Sequence, residues 1–479
     1  MSYAIYVGKN HTADGIAHIA GYGDEPSSHW LEIIPRRSHD DGATITVGVT
    51  PQADMPGILS EIPQVPETAR HIRTSYSYYL GVPAPLTNGG LNEHGVAVRD
   101  IWSPSRQELK DMTPRDQKGP NYSDLARIVV ERARTAREGV EIIGDLIGRY
   151  GYSTYGGNSH FIADPDEAWV VIEYAGGRGL WCAERVGPDD IRASRPGYIG
   201  DVPVDRPGDP GFLYAPNFVE VGVEQDWWSP ESGEPFNANA IYGDGKMRWD
   251  GVAWIEDEMR RRAVRPEKIG LTDMMWAIRT EQLTGDTAGY GQVVPLHHPR
   301  HAALRYLWHT QIGSIAAPFV PVFIGVTDVP EEYRQHRYLT SGEDARFIDM
   351  RHAAEGNTDA LSQVPQGIES TRSATAVFKR LLCLVSQHHE RYLPEVTEIW
   401  EATEQRLMTE LDATLRTAAI LLEAGEDDLA ARYLTYFTGT ELRAALTLAE
   451  TLSTGLEART RALHGISNAM EPHSPKQIW

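Results

Sequence analysis

The sequence predicts an α+β protein in which antiparallel sheets are covered by helices. Three observations indicate this. Short apolar runs separated by turn residues fill the first hundred positions, two amphipathic helical patterns lie between residues 123 and 150, and a second group of strand-like runs follows directly. Strands, then helices, then strands again is the order typical of a layered α+β domain.

The first 24 residues predict a β-hairpin with a hydroxyl residue at its open end. Tyr3–Val7 alternates as a strand, turn residues follow, and residues 16–20 form a second strand. If Met1 is removed, Ser2 carries both a hydroxyl and a free α-amine. An α-amine with a pKa of about 8 is a suitable base for a serine hydroxyl, which needs one to become a nucleophile. The alternative is an ordinary start codon followed by serine.

The remaining elements are predicted from the same patterns. Helices are expected at 123–135, with Ser123 as the N-cap, and at 137–150, 250–263 and 272–279. The stretch from 187 to 245 is rich in Pro, Gly and Asp, which predicts loops with short helices at best. Further strands are expected at residues 30–34, 44–49, 75–80, 95–98, 160–163, 168–174, 180–186 and 320–326.

The character of the chain changes near residue 370. Leucines and other apolar residues recur at helical spacing over 371–465, with breaks expected at Pro394 and Gly425. We therefore divide the chain into a sandwich domain at 1–369 and a helical C-terminal segment at 370–479. This segment could cover the sandwich or form the interface of a homo-oligomer, because leucines at helical spacing occur in both cases.

Composition excludes several classes of protein. A formal net charge of −22 argues against a nucleic-acid partner and against an anionic membrane surface. The chain has two cysteines and shows no signal-peptide or spanning-helix pattern, so we expect a cytoplasmic location. His297, His298 and His301 crowd together, but Pro299 keeps them from sharing one helix face. We therefore expect a loop there and no metal or other cofactor in this protein.

Two glycine-rich blocks each place an asparagine at the start of a predicted strand. The first is Gly-Gly-Leu-Asn-Glu-His-Gly-Val-Ala at 89–97, and the second is Gly-Gly-Asn-Ser-His-Phe-Ile-Ala at 156–163. An amide donor at such a point can reach into a cleft and stabilise an oxyanion. Ordinary turn chemistry is the alternative for each asparagine taken alone.

The order of these blocks resembles the dipeptidase A and secernin family of N-terminal nucleophile (Ntn) hydrolases. The family's nucleophilic Cys, its Val-Gly-Lys turn and its Asp-Gly pair fall on Ser2, 7–9 and 14–15. Its Asn-Glu-x-Gly-Val block falls on 92–96, and its Asn-Ser-x-x-Ile-Ala-Asp-Pro-x-Glu-Ala-Trp block falls on 158–169. The resemblance covers most of the chain and implies an αββα sandwich with the nucleophile at the edge of a central strand.

The sequence departs from the family pattern at two places. The family Cys is Ser2 here, which leaves a hydroxyl nucleophile in place of a thiol. The family's Ala-Arg-Asn-x-Asp stretch falls on residues 20–24, where Asp24 is kept but Gly21 and Tyr22 replace the arginine and the asparagine. In related hydrolases that arginine helps to polarise the nucleophile and its amine.

The resemblance implies an amide-bond hydrolase, dipeptidase-like, that acts on a small peptide or amino-acid amide through an acyl-enzyme. Ser2 Oγ would attack, its α-amine would act as the general base and Asp24 would orient that amine. Asn92 and Asn158 would donate to the oxyanion.

The residues beside these positions are candidates for contact with the substrate. His94 and His160 lie beside the predicted oxyanion donors in sequence, but because neighbouring side chains in a strand point to opposite faces, they need not face the site. Trp227, Trp228 and Tyr290 could also line a pocket. Two other functions stay open: an acyltransferase or amide-forming enzyme on the same fold, and a family member without turnover that binds peptide-like ligands.

Overall fold

Two antiparallel sheets packed face to face form the centre of the molecule. A computed structural model describes residues 2–23, 29–49, 55–79, 82–246, 248–285, 288–311, 314–334 and 372–465. The boundary predicted at 369/370 lies outside these ranges.

The first sheet contains the N-terminal strand. Its strands are Tyr3–Val7 (β1), Ala17–Gly23 (β2), Ile191–Ser194 (β14), Tyr290–Leu296 (β18), Tyr306–Gln311 (β19) and Val320–Phe323 (β20). Their order is β14–β1–β2–β18–β19–β20, so β1 lies in the interior of the sheet and not at its edge.

The second sheet has eight strands. They are His29–Ile34 (β3), His71–Tyr79 (β8), Val82–Asn92 (β9), Ala97–Trp102 (β10), Asn158–Ala163 (β11), Ala168–Glu173 (β12), Trp181–Val186 (β13) and Phe212–Tyr214 (β16). Their order is β16–β13–β12–β11–β10–β9–β8–β3. Three short two-stranded pairs accompany the main sheets: Arg37–Ser38 (β4) with Glu67–Thr68 (β7), Thr44–Gly48 (β5) with Leu59–Pro63 (β6), and Asp201–Val202 (β15) with Phe236–Asn237 (β17).

Helices cover both outer faces of the sandwich. They are Gln107–Met112 (α1), Tyr122–Arg132 (α2), Ala136–Tyr150 (α3), Phe218–Glu224 (α4), Ala238–Tyr242 (α5), Asp250–Ala263 (α6), Leu271–Arg279 (α7), Ala374–Gln387 (α8), His389–Glu423 (α9) and Asp427–His464 (α10). The pair α2 and α3 packs on the second sheet, whereas α6 and α7 pack on the first. The three C-terminal helices pack together and against β19 and β20.

The predicted αββα sandwich with a helical C-terminal segment is therefore confirmed. All five residues of strand β1 are buried, as expected for a run of apolar and aromatic side chains between two layers. The inner face of β1 meets the second sheet, where the rings of Tyr6 and Phe161 lie 6.1 Å apart. Its outer face lies under helices. Full burial of one large apolar side chain contributes about 1.5–3 kcal/mol, so each such strand adds appreciably to stability.

The structure corrects three local predictions. The N-cap of α2 is Asn121 and not Ser123, because the Asn121 side chain accepts from the Asp124 N–H in a capping box. Pro394 does not interrupt the chain, since it lies inside α9, near the start of this 35-residue helix. The break falls at His388 instead, between α8 and α9. The strand predicted at 75–80 extends backward to His71, and its last predicted residue lies outside the described ranges.

The helices also bear on membrane insertion. Within the described ranges, no helix combines the length and the apolar character that crossing a bilayer requires.

Candidate active site

Ser2 immediately precedes β1 and is 6% exposed. Strand β1 pairs with β2 and β14, so that Ala4 lies beside both Gly21 and Ser194. Because side chains alternate along a strand, Ser2, Ala4 and Tyr6 share one face. The contact of Tyr6 with Phe161 of β11 identifies this face as the one toward the second sheet. The alternation therefore directs the Ser2 side chain into the space between the two sheets.

A polar network on the opposite face anchors this end of β1. The rings of Tyr3 and Tyr22 lie 5.6 Å apart. Tyr22 Oη donates to the Leu283 carbonyl oxygen at 2.7 Å and accepts from Arg195 Nη1 at 2.8 Å. Burial raises the pKa of Tyr3 well above its usual value, so this phenol stays neutral. The network holds the residue that follows Ser2 in one position.

The face that Ser2 shares is lined by uncharged polar groups of β18 and β19. Gln292 lies beside Gly21 in the sheet, and Tyr290 lies beside Gly23. Gln292 Nε2 donates to Thr74 Oγ1 of the second sheet at 2.9 Å and contacts His309 Nδ1 at 3.4 Å. Burial lowers the pKa of His309 to about 4, so the imidazole is neutral at neutral pH. This end of the sandwich interior is thus polar on both sheets.

Arg99 crosses this interior from β10 to reach the strand beside Ser2. It is 1% exposed, and its Nη1 donates to the carbonyl oxygens of Val98 at 2.6 Å and Gly90 at 3.3 Å. A Cβ atom at position 21 would lie 3.3 Å from Arg99 Cδ and 2.7 Å from the Tyr3 carbonyl oxygen. Because Gly21 has no side chain, Arg99 can occupy the space above it. A larger residue at position 21 would collide with Arg99 and with the Tyr3 carbonyl oxygen.

Asn92 has a structural role in the turn between β9 and β10. Its Nδ2 donates to the carbonyl oxygens of Val130 at 3.1 Å and Ala133 at 2.7 Å. Its Oδ1 accepts the N–H groups of His94 and Val96, both at 3.0 Å. Both amide hydrogens are therefore engaged in joining this turn to the end of α2, and neither is left for an oxyanion.

The same turn lies at the far end of the sandwich from Ser2. Arg305, which precedes β19, donates from Nη1 to the Glu93 carbonyl oxygen at 3.0 Å. The other end of β19 is Gln311, which pairs with Tyr290, the neighbour of Gly23. Because Gly23 marks the Ser2 end of the sheet, Asn92 and the half-buried His94 lie at the opposite end. Neither residue lies near Ser2.

Replacing Asn92 by alanine should destabilise the protein. The change strands buried backbone groups in two elements, and each unsatisfied group costs about 1–3 kcal/mol. We expect a lower midpoint of chemical denaturation than in the wild type. An unchanged midpoint would contradict this assignment.

Asn158 and His160 face the helices and not the interior. His160 lies with its Nε2 3.0 Å from the Tyr122 carbonyl oxygen of α2 and its Nδ1 2.8 Å from Glu173 Oε1. Asn158, two residues earlier on the same face, donates from Nδ2 to the Asp100 carboxylate and to the Ser159 carbonyl oxygen. The structure therefore gives both residues partners on the side of the sheet away from Ser2, and neither enters the proposed site.

Stability should fall as pH rises through the range in which His160 loses its proton. Both ring nitrogens face acceptors, and the buried Glu173 carboxylate raises the pKa of His160 to about 9 against burial, which acts to lower it. Burial also raises the pKa of Glu173, so the folded pair binds more protons than the unfolded chain. The stabilisation is complete below the unfolded histidine pKa of about 6.5 and is lost toward pH 9.

Chemical denaturation at pH 6, 7.5 and 9 tests this expectation. His160→Gln keeps a polar side chain but cannot titrate, so its stability should change less over the same range. An equal loss in both proteins would assign the pH dependence to other groups.

The remaining predicted residues are placed as follows. Met1 and Asp24 lie outside the described residues. Trp228 packs on Phe236, with ring centroids 5.1 Å apart, and Trp227 packs on Tyr242 at 6.1 Å, so both belong to an aromatic cluster. In the part of the chain that the structure describes, no group of three or more His, Cys, Asp or Glu side chains could hold a metal ion.

Two buried polar residues on the inner faces of the sheets were not predicted from the sequence. Ser194, next to Ala4 on the shared face, has a buried hydroxyl with no hydrogen-bond partner in the described ranges. Arg99 is the other. Its sequence signal is a lone charged residue on the inner-face alternation of an apolar strand, with Ala97 and Ile101 on either side.

Comparison with known proteins places the sequence in a family. Residues 4–249, just over half of the chain, match the model of peptidase family C69. The match begins two residues after Ser2 and includes Gly21 and Arg99.

Curated relatives match over shorter stretches. A "Probable dipeptidase" of Latilactobacillus sakei is 23% identical over 246 residues, which is 50% of this chain and 48% of that protein. A "Probable dipeptidase B" of Lactococcus lactis subsp. lactis (strain IL1403) is 34% identical over 102 residues, 21% of this chain and 20% of that protein. The chain thus spans half or less of the length of these relatives.

Among solved structures, a mutant of conjugated bile acid hydrolase from Clostridium perfringens aligns with 67% of this chain and 92% of its own, at 11% identity and a TM-score of 0.31. The family match covers all but the first residue of β1, the whole of β2 and the whole second sheet, and the chain belongs to peptidase family C69.

Proposed function

We propose that this protein is an amide-bond hydrolase in which Ser2 is the nucleophile once the Met1–Ser2 bond has been cleaved. The observation that carries the proposal is the position of Ser2. It is a buried hydroxyl residue at the end of an interior strand, on the face that lines the polar part of the sandwich. Membership of peptidase family C69 and the dipeptidase names of the relatives support an amide substrate.

The reaction would proceed in two steps, acylation of Ser2 and hydrolysis of the resulting ester. The Ser2 α-amine accepts the proton of Oγ as Oγ bonds to the substrate carbonyl carbon, and the carbonyl becomes an oxyanion. The C–N bond then breaks, and the leaving amine takes the proton from the α-ammonium group. Water next attacks the Ser2 ester, giving up a proton to the α-amine, and the acid leaves as Oγ regains its proton.

Two further side chains are assigned roles in this proposal. The Ser194 hydroxyl, buried on the face that Ser2 shares, would donate to the oxyanion. Asp24, the residue after Gly23, would orient the α-amine. The substrate would be a small peptide or amino-acid amide, which is in keeping with the dipeptidase names of the relatives.

Intact mass spectrometry of the purified chain tests the proposal. We expect a mass without Met1, and one added acyl group after incubation with an activated-ester probe. The adduct should disappear in Ser2→Ala. A chain that keeps Met1 and takes no adduct would contradict the proposal and leave a family member that binds without turnover. Transfer of the acyl group to an added amine faster than to water would favour an acyltransferase.

A further inference from the structure

Arg99 is a buried cation without a counter-charge among the described residues. Its side chain is 1% exposed, and its two hydrogen bonds go to backbone carbonyl oxygens, both from Nη1. Within the described ranges, Arg99 forms no salt bridge, unlike Arg73 and Arg279. Burying a guanidinium in this way is costly unless a carboxylate or another anion comes to pair with it.

The two nitrogens of Arg99 that lack acceptors are Nε and Nη2. These two N–H groups point in parallel from one edge of the guanidinium plane. That edge matches the two oxygens of a carboxylate and forms two parallel hydrogen bonds with it. The unused donors therefore present a fork with the geometry of a carboxylate receptor.

Within the described residues, the charge of Arg99 is influenced by the Tyr290 phenol and by no carboxylate. Arg99 Cδ lies against Gly21, and the neighbour of Gly21 on β18 is Gln292, an uncharged amide. Gln292 Oε1 is itself buried without a donor in the described ranges. His309, on the next strand, is neutral because burial lowers its pKa to about 4. These neighbours therefore supply no internal ion pair at this level of the sandwich.

Arg99 also lies at a useful distance from Ser2. It contacts the sheet at Gly21, which pairs with Ala4, two residues along β1 from Ser2. Two residues of a strand span about 7 Å. A carboxylate two or three bonds from a carbonyl carbon in contact with Ser2 Oγ would reach the fork across this gap.

We infer that Arg99 is the carboxylate-binding residue of the site at Ser2, and that the substrate is a small amide with a free carboxylate two or three bonds from its scissile carbonyl. A dipeptide and an N-acyl amino acid both have this arrangement. The inference rests on the proposed function for the scissile bond, but the binding of the carboxylate does not require turnover.

The test compares two probes that differ in charge alone. N-acetylglycine carries the carboxylate, and N-acetylglycinamide is its neutral counterpart of nearly equal shape. We expect N-acetylglycine to raise the melting temperature of both the wild type and Ser2→Ala with increasing concentration, and the amide to have little effect. In Arg99→Gln, N-acetylglycine should bind about 10- to 100-fold more weakly, because hydrogen bonds to a charged group are lost.

Gln292→Glu provides a second test, which does not require Arg99→Gln to fold. Gln292→Glu supplies an internal carboxylate at the level of Arg99 and should abolish the response to N-acetylglycine while raising the basal melting temperature. Equal responses to the acid and the amide, or an undiminished response in either variant, would overturn the inference. Binding by Ser2→Ala together with no acyl adduct on the wild type would instead refute the proposed function alone.

Discussion

Replacing Ser2 by alanine should reduce the proposed amide hydrolysis by about 10⁴-fold or more, because the change removes the atom that would form the acyl-enzyme. The folded structure should survive, since the Ser2 side chain adds only one hydroxyl to the end of β1 and Tyr3 is held separately by Tyr22. The measurement is the initial rate of release of an amine from a small carboxylate-bearing amide, together with the melting temperature.

Two matched variants separate the roles of the hydroxyl and the amine. Ser2→Cys keeps a nucleophile and should still be acylated, but through a thioester that neutral hydroxylamine cleaves readily. A chain with two extra residues before Ser2 keeps the hydroxyl but converts its basic amine into an amide, and should be inactive. Full activity in the extended chain would exclude the α-amine as the base, and unchanged activity in Ser2→Ala would exclude the nucleophile itself.

Strongly patterned segments of this chain could be predicted from sequence. Strand β1 and helix α6 have the predicted bounds, Tyr3–Val7 and Asp250–Ala263, because an alternating or amphipathic pattern is decided locally. Strands β18 and β19 were missed. Strand β18 contains Gly291, Gln292 and Pro295, which weaken any strand pattern, and its seven residues are all buried by tertiary packing.

The candidate site was harder to predict than the fold because it depends on which face a strand presents. Asn158 and His160 lie on a correctly predicted strand, but the register with β10 and β12 turns them toward α2. A shift of one residue would have turned them inward. Arg99 reaches Gly21 from the other sheet, a contact between residues 78 positions apart that no local pattern can show.

Removing the Glu404 carboxylate should cause the largest loss of stability among the changes considered for the C-terminal helices. Glu404 of α9 is 3% exposed and accepts from both Nη groups of Arg279, at the end of α7. Its Oε1 also accepts the Phe319 N–H at 2.8 Å. Because Glu404→Ala leaves a buried guanidinium without its carboxylate, we expect the free energy of unfolding to fall by about 3–5 kcal/mol.

An exposed pair on the same helix provides the matched control. Asp412 of α9 binds Arg416 one turn later, and both side chains are more than 70% exposed. Asp412→Ala should cost about 0.5 kcal/mol or less, since exposed ion pairs contribute little. Chemical denaturation followed by circular dichroism gives both values on the full chain.

A double replacement tests whether the loss comes from the stranded charge. Arg279→Met with Glu404→Leu removes both charges and fills the same space with apolar groups, so much of the lost stability should return. Failure of the double variant to exceed Glu404→Ala would instead assign the effect to the carbonyl oxygens of Ser314 and Ala317, which also accept from Arg279. Because α7 packs on β2 and β18, the strands of Gly21 and Gln292, we also expect loss of this pair to weaken the carboxylate binding proposed for Arg99.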